Sequence, residues 1–310
     1  MLAMEKEHNI KYSLFKSYLK EFLEKFSQSK KIIIAYSGGI DSSILLHLLF
    51  SIKKDLKQSL EAIHINHGLH DKSNDWEKFC RRKCESYNIS FRAIRIKENC
   101  PKNVSVECWA RDKRYSLIAK EIKNNDILLT AHHMDDQIET FFLQIFRGAG
   151  PRGLASMPVI KKISNGYHAR PFLNIQRSEL EKYASINKIL WQDDDTNSDI
   201  RYERNYLRHN VLVYLEKTWP SYRKSISRVV SHQKESMNLL SEIALEDMRE
   251  VLCKNSINLD VKILKGLSLP RQKNLIFYWL DSLNLEKPGS KHMHQIIKSL
   301  IKTSTDKSPC

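Results

Sequence analysis

The chain has 310 residues, 41% of them hydrophobic and 28% charged. That length and apolar share suit about two folded domains and exclude a mainly disordered chain. With 51 Lys and Arg against 36 Asp and Glu the formal charge is +15, more than an enzyme of small metabolites needs; a polyanion such as nucleic acid, or a generally lysine-rich surface, accounts for it.

Residues 10–27 read as an amphipathic helix, with Leu14, Phe15, Tyr18, Leu19, Phe22, Leu23 and Phe26 recurring at helical spacing as a core-facing stripe. Strands and helices then alternate. Strands are expected at Ile32–Ala35, Ala62–Ile65, Phe91–Ile96 and Ile127–Thr130, with a fifth near His168–Phe172. Helices are expected at Ser42–Lys53, 74–87, 104–123 and Asp135–Phe146. This alternation predicts an α/β fold with a doubly wound parallel sheet. Past residue 200 the pattern turns helical, at Arg201–Lys217, 223–250 and 270–283. A smaller C-terminal α-helical domain is therefore expected, with residues 1–216 as the first domain and 217–310 as the second.

Cys80, Cys84, Cys100, Cys108, Cys253 and Cys310 include no C-x-x-C pair, and Cys80 with Cys84 supplies only two ligands. That argues against zinc or an iron–sulfur cluster. The N-terminal segment, with Glu5 and Glu7, shows no signal-peptide pattern, and no apolar run approaches ~20 residues. Reduced thiols, a cytoplasmic location and no membrane are the expectations.

Ser37-Gly38-Gly39-Ile40-Asp41-Ser42 lies between the first strand and its helix. Two glycines let a backbone approach an anion, and a helix N-terminus adds positive potential. Ser37 and Ser42 can donate hydroxyls, while Asp41 suits Mg²⁺ bridging phosphates. The spacing is neither that of a Walker loop nor of a dinucleotide fingerprint. A plain serine-capped Gly-Gly turn is the bland reading.

The motif resembles that of the PP-loop ATP pyrophosphatases. Further segments are His64-Ile65-Asn66-His67-Gly68-Leu69, Thr130-Ala131-His132-His133-Met134-Asp135-Asp136-Gln137-Ile138-Glu139-Thr140 and Arg147 through Met157, with Ala110, Arg111, Arg114, Tyr115 and Arg204, Asn205, Arg208. Together they resemble the tRNA(Ile)-lysidine synthetases, from residue 31 to about 215. Cys108 and the aspartate-rich stretch Asp193–Asp199 depart from the pattern, and many members carry a further C-terminal subdomain. The chain is expected to be a short or a truncated form.

The resemblance implies that ATP adenylates the C2 oxygen of the wobble cytidine of a tRNA(Ile) with a CAU anticodon, and that free L-lysine then attacks C2. It implies ATP and Mg²⁺, with Ser37–Ser42, His67, Arg111 and His132 as ATP-binding residues. Asp41, Asp136, His133 and Arg111 are the catalytic candidates, with Asp41 on the metal. Asp136 and Glu139, three apart on a helix, are the lysine-binding candidates. Helix capping by Asp135 is the bland alternative, and both readings can hold at once since two aspartates are available. Arg111 and Arg114 lie one turn apart and grip phosphate or form a solvated face. Arg201, Arg204 and Arg208 form one basic stripe on a helix; with Arg114 they are the tRNA-binding candidates, a surface stripe being the alternative. Arg223, Lys224, Arg228 and Lys234 are weaker candidates for a tRNA stem, and Trp191, Trp219 and Trp279 for base stacking. Two rivals stay open: a tRNA thiolation enzyme on the same scaffold, kept alive by Cys108, and a non-catalytic adenine-nucleotide and RNA-binding module. Oligomeric state is left open, with a homodimer as an option.

Overall fold

The computed structural model describes residues 14–302 apart from 103, 124, 164, 194–198, 254–256, 284, 286 and 287. Residues 10–13 of the expected first helix, most of the Asp193–Asp199 stretch and Cys310 lie outside the described residues. The chain divides into two compact units, Met1–Gly148 with Ser156–Ser227, and Ala149–Ala155 with Arg228–Cys310.

The first unit is built on a six-stranded sheet. Its strands are β1 (Lys31–Ala35), β2 (Ser59–Asn66), β3 (Ser90–Arg95), β4 (Ile127–Leu129), β5 (Ile160–Ile163) and β6 (Gly166–Ala169), in the order β3-β2-β1-β4-β6-β5. All neighbours are parallel except β5, which runs antiparallel to β6. Alternate residues of β1 serve opposite faces, as strand pleating requires. Ile32 and Ile34 join one apolar cluster and Ile33 the other. The first cluster takes Leu19, Phe22 and Leu23 from α1 (residues 14–24), and Ile44, Leu45, Leu48 and Leu49 from α2 (Ile40–Ile52). The second takes Ile118 from α4 (Val106–Glu121). Each such fully buried Leu or Ile contributes ~1.5–3 kcal/mol. A sheet covered by helices on both faces is the doubly wound fold expected, and β1 with β4 reads as apolar runs for that reason.

Two strands differ from expectation. The fifth strand ends at Ala169, because Pro171 has no N–H to give a ladder. The hairpin partner β5 went unseen because its Ile-Lys-Lys-Ile is mostly solvent-facing and carries no apolar run. Lysines on such a strand blunt the open sheet edge.

The remaining helices of this unit are α3 (Ser73–Ser86), α5 (Met134–Phe146), α7 (Arg177–Ile186), α8 (Glu203–Tyr206) and α9 (Leu212–Thr218). The single helix expected over Arg201–Lys217 is instead α8, a π-helical turn at Leu207–Val211, and α9. A π turn rotates the side chains that follow it and recurs at functional sites.

The second unit holds α6 (Pro151–Leu154), most of α10 (Tyr222–Val251), α11 (Val261–Gly266), α12 (Leu269–Ser282) and α13 (Ser290–Lys302). Met248, Val251, Leu264, Leu275, Ile276, Met293 and Ile297 form its core. Asp247, fully buried, is held by Arg271, whose Nε lies 3.2 Å away. Trp279 donates its Nε1–H to the Ile257 carbonyl at 2.7 Å, a packing role for a residue considered for base stacking.

Candidate active site

The sheet reverses direction of growth between β1 and β4: β2 and β3 follow on one side, β6 and β5 on the other. Ligands of open α/β sheets bind beyond the carboxyl ends of strands at such a switch. The loops leaving β1, β2 and β4 carry the motifs picked out in the sequence.

The turn after β1 is set by Gly38, which has φ +89°, and a Cβ there would meet Cys80 Sγ of α3 at 2.9 Å. Only glycine escapes both constraints. The Gly38 carbonyl accepts from Gln192 N at 2.9 Å and from Ser43 Oγ at 3.3 Å. Ser42 Oγ donates to the Gly39 carbonyl at 3.0 Å and lies 3.0 Å from Ser37 Oγ. No side chain caps α2 at Gly39, which leaves its first N–H groups for an anion.

After β2, Asn66 shapes the turn by donating to Glu77 Oε2 at 3.0 Å and accepting from Gly68 N at 3.0 Å. His64 is buried, with Nδ1 2.9 Å from the Tyr36 carbonyl. His67 Nε2 lies 3.3 Å from Arg114 Nη2. A guanidinium only donates, so Nε2 accepts and the proton sits on Nδ1. That Nδ1 is buried with no protein partner. Burial, then Arg114, pushes the His67 pKa down to about 4. Arg114, a candidate for RNA contact, is thus engaged with His67. Arg111 is exposed on the same helix.

After β4 the expectation for the helix cap is corrected. The N-cap of α5 is His133, not Asp135. Asp136 Oδ2 accepts from His133 N at 3.0 Å, and His133 Nδ1 lies 3.4 Å from Asp136 N. Asp135 instead accepts from Arg177 N at 2.9 Å and Arg223 Nε at 2.7 Å. His133 Nε2 lies 3.6 Å from Asp41 Oδ2 and 3.5 Å from Asp136 Oδ2. Burial alone would lower its pKa, but Asp136, Asp41 and Asp135 raise it to about 9. An imidazolium cannot accept at Nδ1, so the long cap contact yields to the carboxylates. Burial favours the neutral form of Asp136, but His133, then His132, overcomes it and brings the pKa down to about 2.

The expected basic stripe is also corrected. Arg201 precedes α8, is 87% exposed and pairs with Asp199 at 2.7 Å. Arg204 and Arg208 turn inward instead. Arg208 Nε donates to Glu139 Oε1 at 2.7 Å and its Nη2 lies 3.9 Å from Asp136 Oδ1. Arg204 Nη2 donates to Thr140 Oγ1 at 3.1 Å, with Nε 3.7 Å from Glu139 Oε2. Arg204 and Arg208, four residues apart, share a helix face and meet the same carboxylate. Glu139 is fully buried, and its Oε2 accepts no hydrogen bond. Burial opposes the Arg208 charge, but Glu139 and then Asp136 more than offset it and hold its proton tightly. Arg223, considered for a tRNA stem, is held by Asp135 and Glu216.

Sequence reading passed over Thr130, His168 and Arg170, three buried polar residues behind His132. The available signal was His168 and Arg170, two apart and so on one face of the fifth strand expected there. Cys80 and Cys84 are buried free thiols, Cys84 being pushed up to about 12 by burial and Glu85. Among the described residues no group of three or more His, Cys, Asp or Glu could hold a metal ion. Nor is any helix among them long and apolar enough to cross a membrane.

Sheet, turn and acidic cluster together define a PP-loop domain, and the family model of that description matches residues 11–215. A second model, for the TilS substrate binding domain, matches residues 259–310. The chain is similar to the tRNA(Ile)-lysidine synthase of Coxiella burnetii, 38% identical over 291 residues, 94% of this chain and 64% of that protein. It is similar to the enzyme of that name from Legionella pneumophila strain Paris, 38% identical over 289 residues, 93% of this chain and 66% of the relative. With that of Histophilus somni strain 129Pt it is 35% identical over 292 residues, 94% of this chain and 68% of the relative. The chain belongs to the tRNA(Ile)-lysidine synthase family and spans about two thirds of the length of these relatives. Its fold is like that of the U34-tRNA thiolase NcsA of Methanococcus maripaludis, with TM-score 0.52 and 19% identity over 71% of this chain and 80% of that one.

Proposed function

We propose that this chain is a cytoplasmic ATP-dependent ligase that joins free L-lysine to the wobble cytidine of a tRNA(Ile) with a CAU anticodon. The observation that carries this reading is Asp41. Its Oδ1 is buried with no protein partner, beside a turn suited to phosphate and within reach of the His133–Asp136 pair. Asp41 would hold Mg²⁺ through this unpartnered carboxylate oxygen, a hard donor of the kind the ion takes. The ion supplies charge neutralisation on the triphosphate. Ser37, Ser42 and the N–H groups opening α2 would bind the phosphates. His67, with its unpartnered Nδ1–H, would donate to the nucleotide.

In the first step the C2 oxygen of cytosine attacks the α-phosphorus, and pyrophosphate leaves. In the second the lysine ε-ammonium loses a proton to water, the free amine attacks C2, the C2–O bond breaks, AMP leaves with that oxygen, and the new C–N nitrogen gives up a proton to water. Asp136 is the carboxylate for the substrate ammonium. Its low pKa suits holding a cation better than taking its proton. Glu139 already faces Arg208 at 2.7 Å, so it acts on lysine through that arginine and Asp136. Residues 1–216 would carry the chemistry and 217–310 would contact RNA, in keeping with the +15 charge. Cys108 is exposed and has no thiol partner among the described residues, which favours lysine over sulfur transfer.

Pyrophosphate release from ATP, with total tRNA and lysine each present or omitted, tests the proposal. Release that needs tRNA, with labelled lysine entering RNA only in the full mixture, is expected. Release without lysine incorporation overturns the lysine acceptor, and no release overturns the enzymatic reading of this chain.

A further inference from the structure

Four buried or half-buried polar groups stand in line behind the active-site loop. Arg170 Nη2 lies 3.1 Å from His168 Nδ1, His168 Nε2 lies 2.8 Å from Thr130 Oγ1, and Thr130 Oγ1 lies 2.7 Å from His132 Nδ1. We infer that Arg170, His168 and Thr130 form a one-way hydrogen-bond chain that holds His132 as its Nε2–H tautomer, so that His132 serves the site as a neutral donor to an oxyanion and not as a base.

The direction follows from what each group can do. A guanidinium has five N–H donors and no acceptor, so His168 Nδ1 must accept. A neutral imidazole accepting at one nitrogen carries its proton on the other, so His168 Nε2 donates to Thr130. Were Thr130 to donate there instead, His168 would need lone pairs on both nitrogens, an imidazolate. The Thr130 hydroxyl proton is then free to go elsewhere, and its oxygen has only one other contact among the described residues, His132 Nδ1. Thr130 is buried. Turning its proton away from His132 would leave it unpaired out of water, which folded proteins avoid. His132 Nδ1 therefore accepts, and Nε2 bears the proton. No partner for that Nε2–H occurs among the described residues, and His132 sits at the carboxyl end of β4 among Asp136, Arg111 and Arg204.

A second observation agrees. Arg170 is buried, anchored by Nη1 to the Pro158 carbonyl at 2.8 Å, and pairs with no carboxylate among the described residues. Its charge adds to burial in keeping the rings neutral. Burial and then Arg170 push His168 down to about 2. Burial, with Arg170 outweighed in part by Asp136, leaves His132 at about 4. Under the ligase reading the oxyanion is a phosphate oxygen of ATP or of the adenylated cytidine; the tautomer itself does not rest on that reading.

The test is nitrogen-15 NMR of the full chain labelled at histidine, without ligand, at neutral pH. The His132 signals are assigned by their loss in His132→Gln. A pyridine-type Nδ1 and a pyrrole-type Nε2 are expected, and a protonated Nδ1 or a charged ring overturns the inference. Thr130→Val should give a mixture of His132 tautomers and a roughly tenfold lower kcat with little change in KM for ATP, and Thr130→Ser should restore both. An unchanged His132 tautomer in Thr130→Val overturns the chain as its cause. If tRNA and lysine prove the wrong substrates, the tautomer still reads out alone, so the two failures separate.

Discussion

Replacing Arg208 with Met strands the carboxylate of Glu139, which is fully buried and, among the described residues, takes its one hydrogen bond, at 2.7 Å, from Arg208. Removing one partner of a buried ion pair costs about 3–5 kcal/mol. Arg204 remains 3.7 Å from the other carboxylate oxygen, so the lower end, about 3 kcal/mol, is expected. For a unit of this size that is a fall of roughly 6–12 °C in Tm. Adding Glu139→Gln removes the stranded charge and should restore most of the loss, a coupling that a double-mutant cycle in urea measures directly. Affinity for tRNA provides the contrast. A phosphate-contacting arginine would leave stability unchanged, weaken tRNA binding and reduce the salt slope of log K by about 0.7–0.9. A stable Arg208→Met protein with such a reduced slope would refute the inward placement of this residue.

Two other outcomes follow from the geometry. Gly38→Ala should cost about 1–2 kcal/mol for its left-handed backbone and about 1–3 more for overlap with Cys80 Sγ; adding Cys80→Ala should recover the second share only, as read from urea midpoints. On the acid side, His168 and His132 are held neutral in the fold, at about 2 and about 4, below the ~6.5 of an unfolded histidine. Their stabilisation is complete above pH 6.5 and is lost as pH falls below it, by about 2 kcal/mol each at pH 5. Urea midpoints at pH 7 and 5 should differ accordingly, and His168→Gln should remove its own share, leaving that of His132 and of His67, also held down at about 4; equal midpoints in the wild-type protein would refute the buried neutral rings.

The sequence by itself determined the strand–helix alternation, the phosphate turn and the family, because these are local. Apolar runs such as Ile32-Ile33-Ile34 and Ile127-Leu128-Leu129 must be buried on both faces, and two glycines between strand and helix admit few other structures. It missed β5, whose lysines face solvent and leave no apolar signature. Partner choice among charged residues was out of its reach. Arg201, Arg204 and Arg208 share a face on an ideal helix, yet α8 begins only at Glu203, which leaves Arg201 in solvent with Asp199, while the fold sets Glu139 against the other two. His133 takes the N-cap position of α5, and Asp135, the better capping residue by type, lies within the helix and pairs instead with Arg177 and Arg223, 42 and 88 residues further along. Only the tertiary structure decides such pairings, since a charge is indifferent to sequence distance and answers to whatever the fold sets beside it in a low-dielectric interior.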